Sequence, residues 1–166
     1  MYRVGILTSS DKGAKGERED LSAAAIREMV EGQGWQVEAH AILPDERELL
    51  SGKLKEFADV LGLDLVLTTG GTGFSPRDVT PEATLAVVER LVPGLPEAMR
   101  LEGLKHTPRA ALSRAVAGIR GRTLIVNLPG SPSGVRENLG AILPALPHGL
   151  EVLRGEASNC ARPSHS

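Results

Sequence analysis

The sequence predicts a three-layer α/β/α domain whose sheet is mostly parallel and carries one antiparallel hairpin. Three observations predict it. Short apolar runs alternate with segments of helical apolar spacing as far as about Arg154, the pattern of strands joined by crossover helices. Two runs, Leu63–Thr68 and Thr123–Leu128, end in glycine- and proline-rich turns followed at once by helix-start signals. Arg120-Gly121-Arg122 separates Arg114–Ile119 from Thr123–Leu128 by a tight turn, which makes that pair antiparallel. With 166 residues, the expectation is one domain over 1–155 and a polar tail over 156–166.

Each element follows from its residues. Tyr2–Thr8 is an apolar run bounded by the polar loop Ser9-Ser10-Asp11-Lys12-Gly13, so it reads as the first strand. Leu21, Ala25, Met29 and Val30 follow helical spacing, with Asp20 as N-cap and Gly32 and Gly34 as stop signals. Trp35–Leu43 reads as the second strand. Asp45-Glu46-Arg47-Glu48 has the form of a capping box, and Leu50, Leu54, Phe57 and Leu61 give the helix after it an apolar stripe. Leu63–Thr68 reads as a strand buried on both faces. Thr80-Pro81-Glu82 supplies a Thr cap, a first-turn proline and an acid for the next helix. Pro93, Gly94 and Pro96 are expected to break it, with a further helical piece from about Glu97 to Leu104. After the hairpin, Ser131-Pro132 repeats the cap-and-proline start, and helices run on to about Arg154.

Composition excludes several function classes. With 19 basic and 21 acidic residues and a net charge of −2, no surface for a polyanion is expected. The aromatic residues are Tyr2, Trp35, Phe57 and Phe74, too few for a base-stacking platform, so nucleic acid is not an expected partner. The lone Cys160 reads as a passive tail thiol. His40, His106, His148 and His165 have no ligand spacing and read as surface or packing residues. No run is long enough for a membrane span and the first strand is too short for a signal peptide, so the expected location is the cytoplasm.

The densest chemistry lies in Thr68-Thr69-Gly70-Gly71-Thr72-Gly73 and the Pro76-Arg77-Asp78-Val79-Thr80-Pro81-Glu82 that follows. Glycines let a backbone approach a ligand closely, and successive N–H groups in such a loop form a concave nest suited to phosphate. The loop leaves the carboxyl end of a strand, where open α/β sheets place ligands. Neither a Walker A sequence nor a dinucleotide fingerprint is present, and a plain tight connection is the competing reading. Asp78 reads either as a helix-entry acid or as a metal carboxylate. Asp45 reads either as an N-cap or as the second carboxylate of a clamp. Two carboxylates facing a phosphate nest make sense with Mg²⁺ between them, because Mg²⁺ takes one or two carboxylates plus phosphate oxygens. Arg77 either neutralises phosphate or lies solvated. Ser9, Ser10 and Asp11 form a turn or part of the same rim.

Taken together, Thr68–Gly73, Pro76–Ala83, Leu43-Pro44-Asp45, Leu112-Ser113-Arg114 and Asn127-Leu128-Pro129-Gly130-Ser131-Pro132 resemble the molybdopterin adenylyltransferases and their close relatives in molybdenum-cofactor synthesis. The resemblance runs from the first strand to about Gly155. It implies a homotrimer that uses Mg²⁺ and ATP to place AMP on the terminal phosphate of molybdopterin, releasing pyrophosphate. By the same resemblance Asp45 and Asp78 are the catalytic, metal-binding acids. Thr69, Gly70, Gly71, Thr72 and Gly73 form the nucleotide and pyrophosphate loop, and Ser10, Asp11, Pro129, Gly130 and Ser131 the rest of the rim. A non-enzymatic molybdopterin-binding relative is the alternative, disfavoured because both acids are present.

Overall fold

Residues 1–156 are described by the computed structural model, in which a six-stranded sheet lies between two layers of helices. Cys160 and His165 lie outside the described residues. The strands are β1 (Arg3–Ser9), β2 (Gln36–Leu43), β3 (Leu65–Thr69), β4 (Arg90–Leu91), β5 (Ala117–Arg120) and β6 (Thr123–Leu128). Their order across the sheet is β2-β1-β3-β6-β5-β4. β2, β1, β3 and β6 run parallel, while β5 pairs antiparallel with β6 and β4 antiparallel with β5.

Side chains alternate across the central strands, so each face gathers its own core. Val4, Ile6, Leu65, Leu67 and Val126 pack against α2 (Leu21–Glu31), α5 (Gly94–Leu104), α6 (Pro132–Ile142) and α7 (Leu146–Arg154). Leu7, Val66 and Ile125 face the other way, toward Leu50 and Leu54 of α3 (Arg47–Lys55) and Ala83 of α4 (Thr80–Leu85). A short helix, α1 (Asp11–Ala14), follows β1. The chain passes from β1 to the edge strand β2 and from β3 toward β6, so the order reverses between β1 and β3. In parallel α/β sheets that reversal opens a crevice at the carboxyl ends of the strands.

Local expectations divide instructively. Asp20 caps α2 by accepting the Ala23 N–H at 3.1 Å, and Ser131 caps α6 by accepting the Gly134 N–H at 3.1 Å. The capping box at Asp45–Glu48 does not form: Glu46 holds the N-cap position with no side-chain bond, because the Asp45 carboxylate is taken by β1 and the loop after it. Thr80 is likewise not a cap. It lies inside α4, and its hydroxyl donates to the Gly70 carbonyl at 2.9 Å. α3 continues into a π-helical turn, Glu56–Val60, which shifts the phase of the stripe and leaves Leu61 exposed while Leu50, Leu54 and Phe57 are buried. Pro93–Pro96 starts α5 instead of separating two helices, since proline is tolerated in a first turn. The edge strand β4 and a 3₁₀ turn at Pro108–Leu112 had no periodicity by which to be foreseen.

Candidate active site

The parallel register brings the ends of β1, β2, β3 and β6 to one rim. Ser9 pairs with Leu43, and Thr69 with both Thr8 and Leu128. Four loops leave that rim and line a cleft of about 570 Å³. Its wall includes Ser10, Asp45, Thr69, Gly70, Gly71, Asp78, Gly130 and Ser131. The other expected residues stand beside it. Thr72, Gly73 and Pro129 face an adjoining cavity of about 600 Å³ that shares Ser131 with the first. Asp11 faces a recess of about 500 Å³ with Arg77.

Asp45 is held from the neighbouring strand. Ser9 Oγ donates to its Oδ1 at 2.5 Å, and the Asp11 N–H donates to its Oδ2 at 3.0 Å. The Asp45 N–H returns a bond to Asp11 Oδ1 at 2.9 Å, so the two loops brace each other. Asp11 is also gripped by Arg77 through Nε at 3.1 Å and Nη2 at 2.8 Å. The Arg77 hydrogen bonds, then the one from the Asp45 amide, hold the Asp11 carboxyl down to about 2. Asp11 is therefore a committed ion-pair partner, and Arg77 is neither free nor simply solvated.

The glycine loop turns sharply because Gly70 and Gly71 both adopt left-handed backbone, with φ of 90° and 71°. A Cβ at Gly71 would collide with the Thr80 hydroxyl, and one at Gly70 with the Ser9 carbonyl. The loop's carbonyl side is tied down. Thr80 Oγ1 and the Thr80 N–H reach the Gly70 and Gly71 carbonyls, and Thr69 Oγ1 donates to the Pro129 carbonyl at 2.6 Å, joining the two turns. Among the described residues, the N–H groups of Gly71, Thr72 and Gly73 have no acceptor. A run of unpaired donors on a fixed loop is the donor set that an anion nest requires.

Asp78 follows on the same side. Its Oδ2 accepts the Ser75 N–H at 3.1 Å, and its Oδ1 has no donor among the described residues. Two carboxylates from separate strand ends thus share one cleft with the loop. Among the described residues no three His, Cys, Asp or Glu side chains gather as a metal cage. His40 bonds Asp20, and His106 stands near Glu102 and Glu137, outside the cleft lining.

Sequence reasoning missed the braces behind the site. Asn127 is fully buried and donates to Thr68 Oγ1 at 3.0 Å and Thr84 Oγ1 at 2.9 Å, while its Oδ1 accepts the Val116 N–H at 3.1 Å. Thr84 in turn donates to the Thr80 carbonyl. Ser9 was foreseen only as part of a turn or of the rim, and Arg114 only as part of a motif. No local signal marks these roles, because most of the partners are far away in sequence.

A family model described as a probable molybdopterin binding domain matches residues 5–148. A molybdopterin adenylyltransferase of Helicobacter pylori is 46% identical over 154 residues, spanning 92% of this chain and 88% of that protein. Another, of Escherichia coli, is 41% identical over 143 residues, spanning 84% and 73%. The crystal structure of the molybdopterin biosynthesis enzyme MoaB from Thermus thermophilus aligns with a TM-score of 0.89 at 57% identity, over 96% of this chain and all of that one. The tungsten cofactor synthesizing protein MoaB from Pyrococcus furiosus aligns with a TM-score of 0.84 at 34% identity, over 93% and 98%.

Proposed function

The chain belongs to the molybdopterin-binding family of molybdenum-cofactor biosynthesis, and we propose that it is a molybdopterin adenylyltransferase that uses Mg²⁺ and ATP. The observation that carries the reading is the meeting, in one cleft, of Asp45, Asp78 and the Gly70-Gly71 turn, whose Gly71 N–H, with those of Thr72 and Gly73 beside the cleft, has no acceptor among the described residues. Curated relatives with adenylyltransferase names, at 37–46% identity, support the activity.

In the proposed reaction a terminal phosphate oxygen of molybdopterin attacks the α-phosphorus of ATP. The bond to the bridging oxygen breaks, and pyrophosphate leaves with the electron pair. The attacking phosphate is already ionised near neutral pH, so no general base is needed. Nucleotidyl transfer depends instead on holding the phosphates in line and neutralising developing charge. The Gly71–Gly73 amides suit the first task, presenting donors from a loop that need not reorganise. Asp45 and Asp78 would hold the metal ion. The donor set fits Mg²⁺, which keeps waters and substrate oxygens and asks for only one or two protein carboxylates. When bound, the ion would offset phosphate charge.

The same reading takes residues 1–155 as the working domain, a homotrimer as the assembly and the cytoplasm as its place. No helix among the described residues is long and apolar enough to cross a membrane. Exposed Leu91, Leu101 and Leu112 support association, and light scattering should give about three times the 17.5 kDa subunit mass. The test of function is pyrophosphate release from Mg-ATP in the presence of molybdopterin. Molybdopterin binding without release would support the non-enzymatic alternative.

A further inference from the structure

We propose that Arg114 is a positioning residue, whose guanidinium holds the 73–78 segment at both ends and so fixes the Asp78 carboxylate at the cleft. The inference rests on the role of Asp78 given above. Arg114 Nε donates to the Gly73 carbonyl at 2.7 Å, and Nη2 to the Asp78 carbonyl at 2.7 Å. Its own N–H donates to the Thr72 carbonyl at 2.9 Å. One residue, on the approach to β5, therefore engages three carbonyls of the loop that carries Asp78.

Between those anchors, Phe74, Ser75, Pro76 and Arg77 are exposed. The bonds within the segment are local: Asp78 N–H to the Ser75 carbonyl at 2.9 Å, and Ser75 N–H to Asp78 Oδ2 at 3.1 Å. These close a small turn but do not aim it. Beyond the Arg77–Asp11 pair at the surface, its aim comes from Arg114. The third arm of the guanidinium, Nη1, bonds Glu82 Oε1 in the first turn of α4, while Glu82 Oε2 is buried without a partner among the described residues. Glu82 thereby sets the plane of the fork. A planar guanidinium can serve three acceptors in fixed directions, which a lysine ammonium on a flexible stem does not reproduce. Arg114 lines neither the main cleft nor the adjoining cavity, so it acts through Asp78 and not on the ligand.

Arg114→Lys keeps the charge and removes the fork. A displacement near 1 Å costs about 10²-fold in rate. The variant's kcat for pyrophosphate release should therefore fall by about 10- to 100-fold, and the Mg²⁺ concentration for half-maximal rate should rise. Hydrogen exchange gives a readout independent of turnover: the Ser75 and Asp78 amides should exchange about tenfold faster or more, with the core strands unchanged. Glu82→Gln retains an acceptor for Nη1 and should show the same changes in weaker form; it carries the comparison if Arg114→Lys does not fold. A folded variant with wild-type exchange in the loop and wild-type Mg²⁺ dependence overturns the proposal. If the wild-type protein itself released no pyrophosphate, the role of Asp78 would fall. Faster loop exchange would then still support the clamp, and unchanged exchange would still overturn it.

Discussion

The two ends of the parallel strands are built to opposite rules. At the amino ends, charged groups are turned on one another. Arg154 reaches Asp64 with Nε at 2.9 Å and Nη2 at 2.8 Å, the Arg3 N–H adds a third bond to Asp64 at 2.8 Å, and Arg154 also caps the Met1 carbonyl. The same guanidinium lies 4.6 Å from the centroid of the Tyr2 ring, which meets Trp35 edge-on. At the carboxyl ends, among the described residues, the Gly71–Gly73 amides and one oxygen of Asp78 are left without partners beside the cleft and its adjoining cavity. Both ends are polar, so polarity does not separate them. What separates them is whether the polar groups are used up within the chain, and that is the sense in which one end holds the fold and the other is free to hold a ligand.

Substitutions should respect that division. The largest effect is expected at Gly71. Valine there would combine a left-handed φ with a clash against the Thr80 hydroxyl, so nucleotide affinity measured by calorimetry should fall by on the order of 10²-fold. Unchanged ATP binding in a folded Gly71→Val would make the loop a mere connector. Asn127 comes next, because it stands behind the open end while being wholly consumed by it. Asn127→Leu strands the Val116 N–H and removes the donor shared by Thr68 and Thr84, and a denaturant melt should record a loss of about 3 kcal/mol.

At the closed end, Asp64→Asn should lower stability by about 2 kcal/mol through weakened bonds to Arg154 and leave pyrophosphate release per folded molecule unchanged. The pH dependence follows in sign. Burial works against the Asp64 carboxylate, but the hydrogen bonds from Arg154 and the Arg3 amide outweigh it and hold its pKa below the ordinary value. Its contribution is therefore complete above the unfolded carboxylate pKa of about 4 and is lost as pH falls through the lowered folded value. Melts taken from neutral to acid pH should show a shallower acid limb in Asp64→Asn. An identical limb would place the acid sensitivity elsewhere.

Much of the fold was legible because it rests on period and composition. Buried runs such as Leu65–Thr69 and glycine turns at strand ends are local facts. Caps were legible only where the cap residue had no better offer. Asp20 and Ser131 cap as their sequences suggest, whereas Asp45 and Thr80 carry equally good cap chemistry and spend it on β1, its following loop and the glycine loop. The rule that failed is a local one, overridden by partners outside the helix, about three dozen residues away for Asp45 and ten for Thr80. The π-helical turn after α3 escaped for a related reason: one inserted residue shifts the apolar phase without leaving any signature in composition. For the site, the residues on the rim were legible and the braces were not. Asp45, Asp78 and the Gly70–Gly73 loop belong to dense motifs, while Arg114 and Asn127 matter through what they grip.

The central claim is that Asp45 and Asp78 act as one unit at the open end. The measurement that tests it most directly is pyrophosphate release by Asp45→Asn, Asp78→Asn and the double variant, with thermal melts alongside. Asp78→Asn should barely move the melt, since Asn keeps an acceptor for Ser75, whereas Asp45→Asn keeps an acceptor for Ser9 but loses the one for the Asp11 N–H and should lower stability by about 1 kcal/mol. Each should lower turnover by on the order of 10²-fold or more, the scale for losing one strong electrostatic stabiliser. The double variant should lose less than the product of the singles, as residues of one unit do. Full turnover by Asp78→Asn, or a double variant equal to the product, would contradict the account.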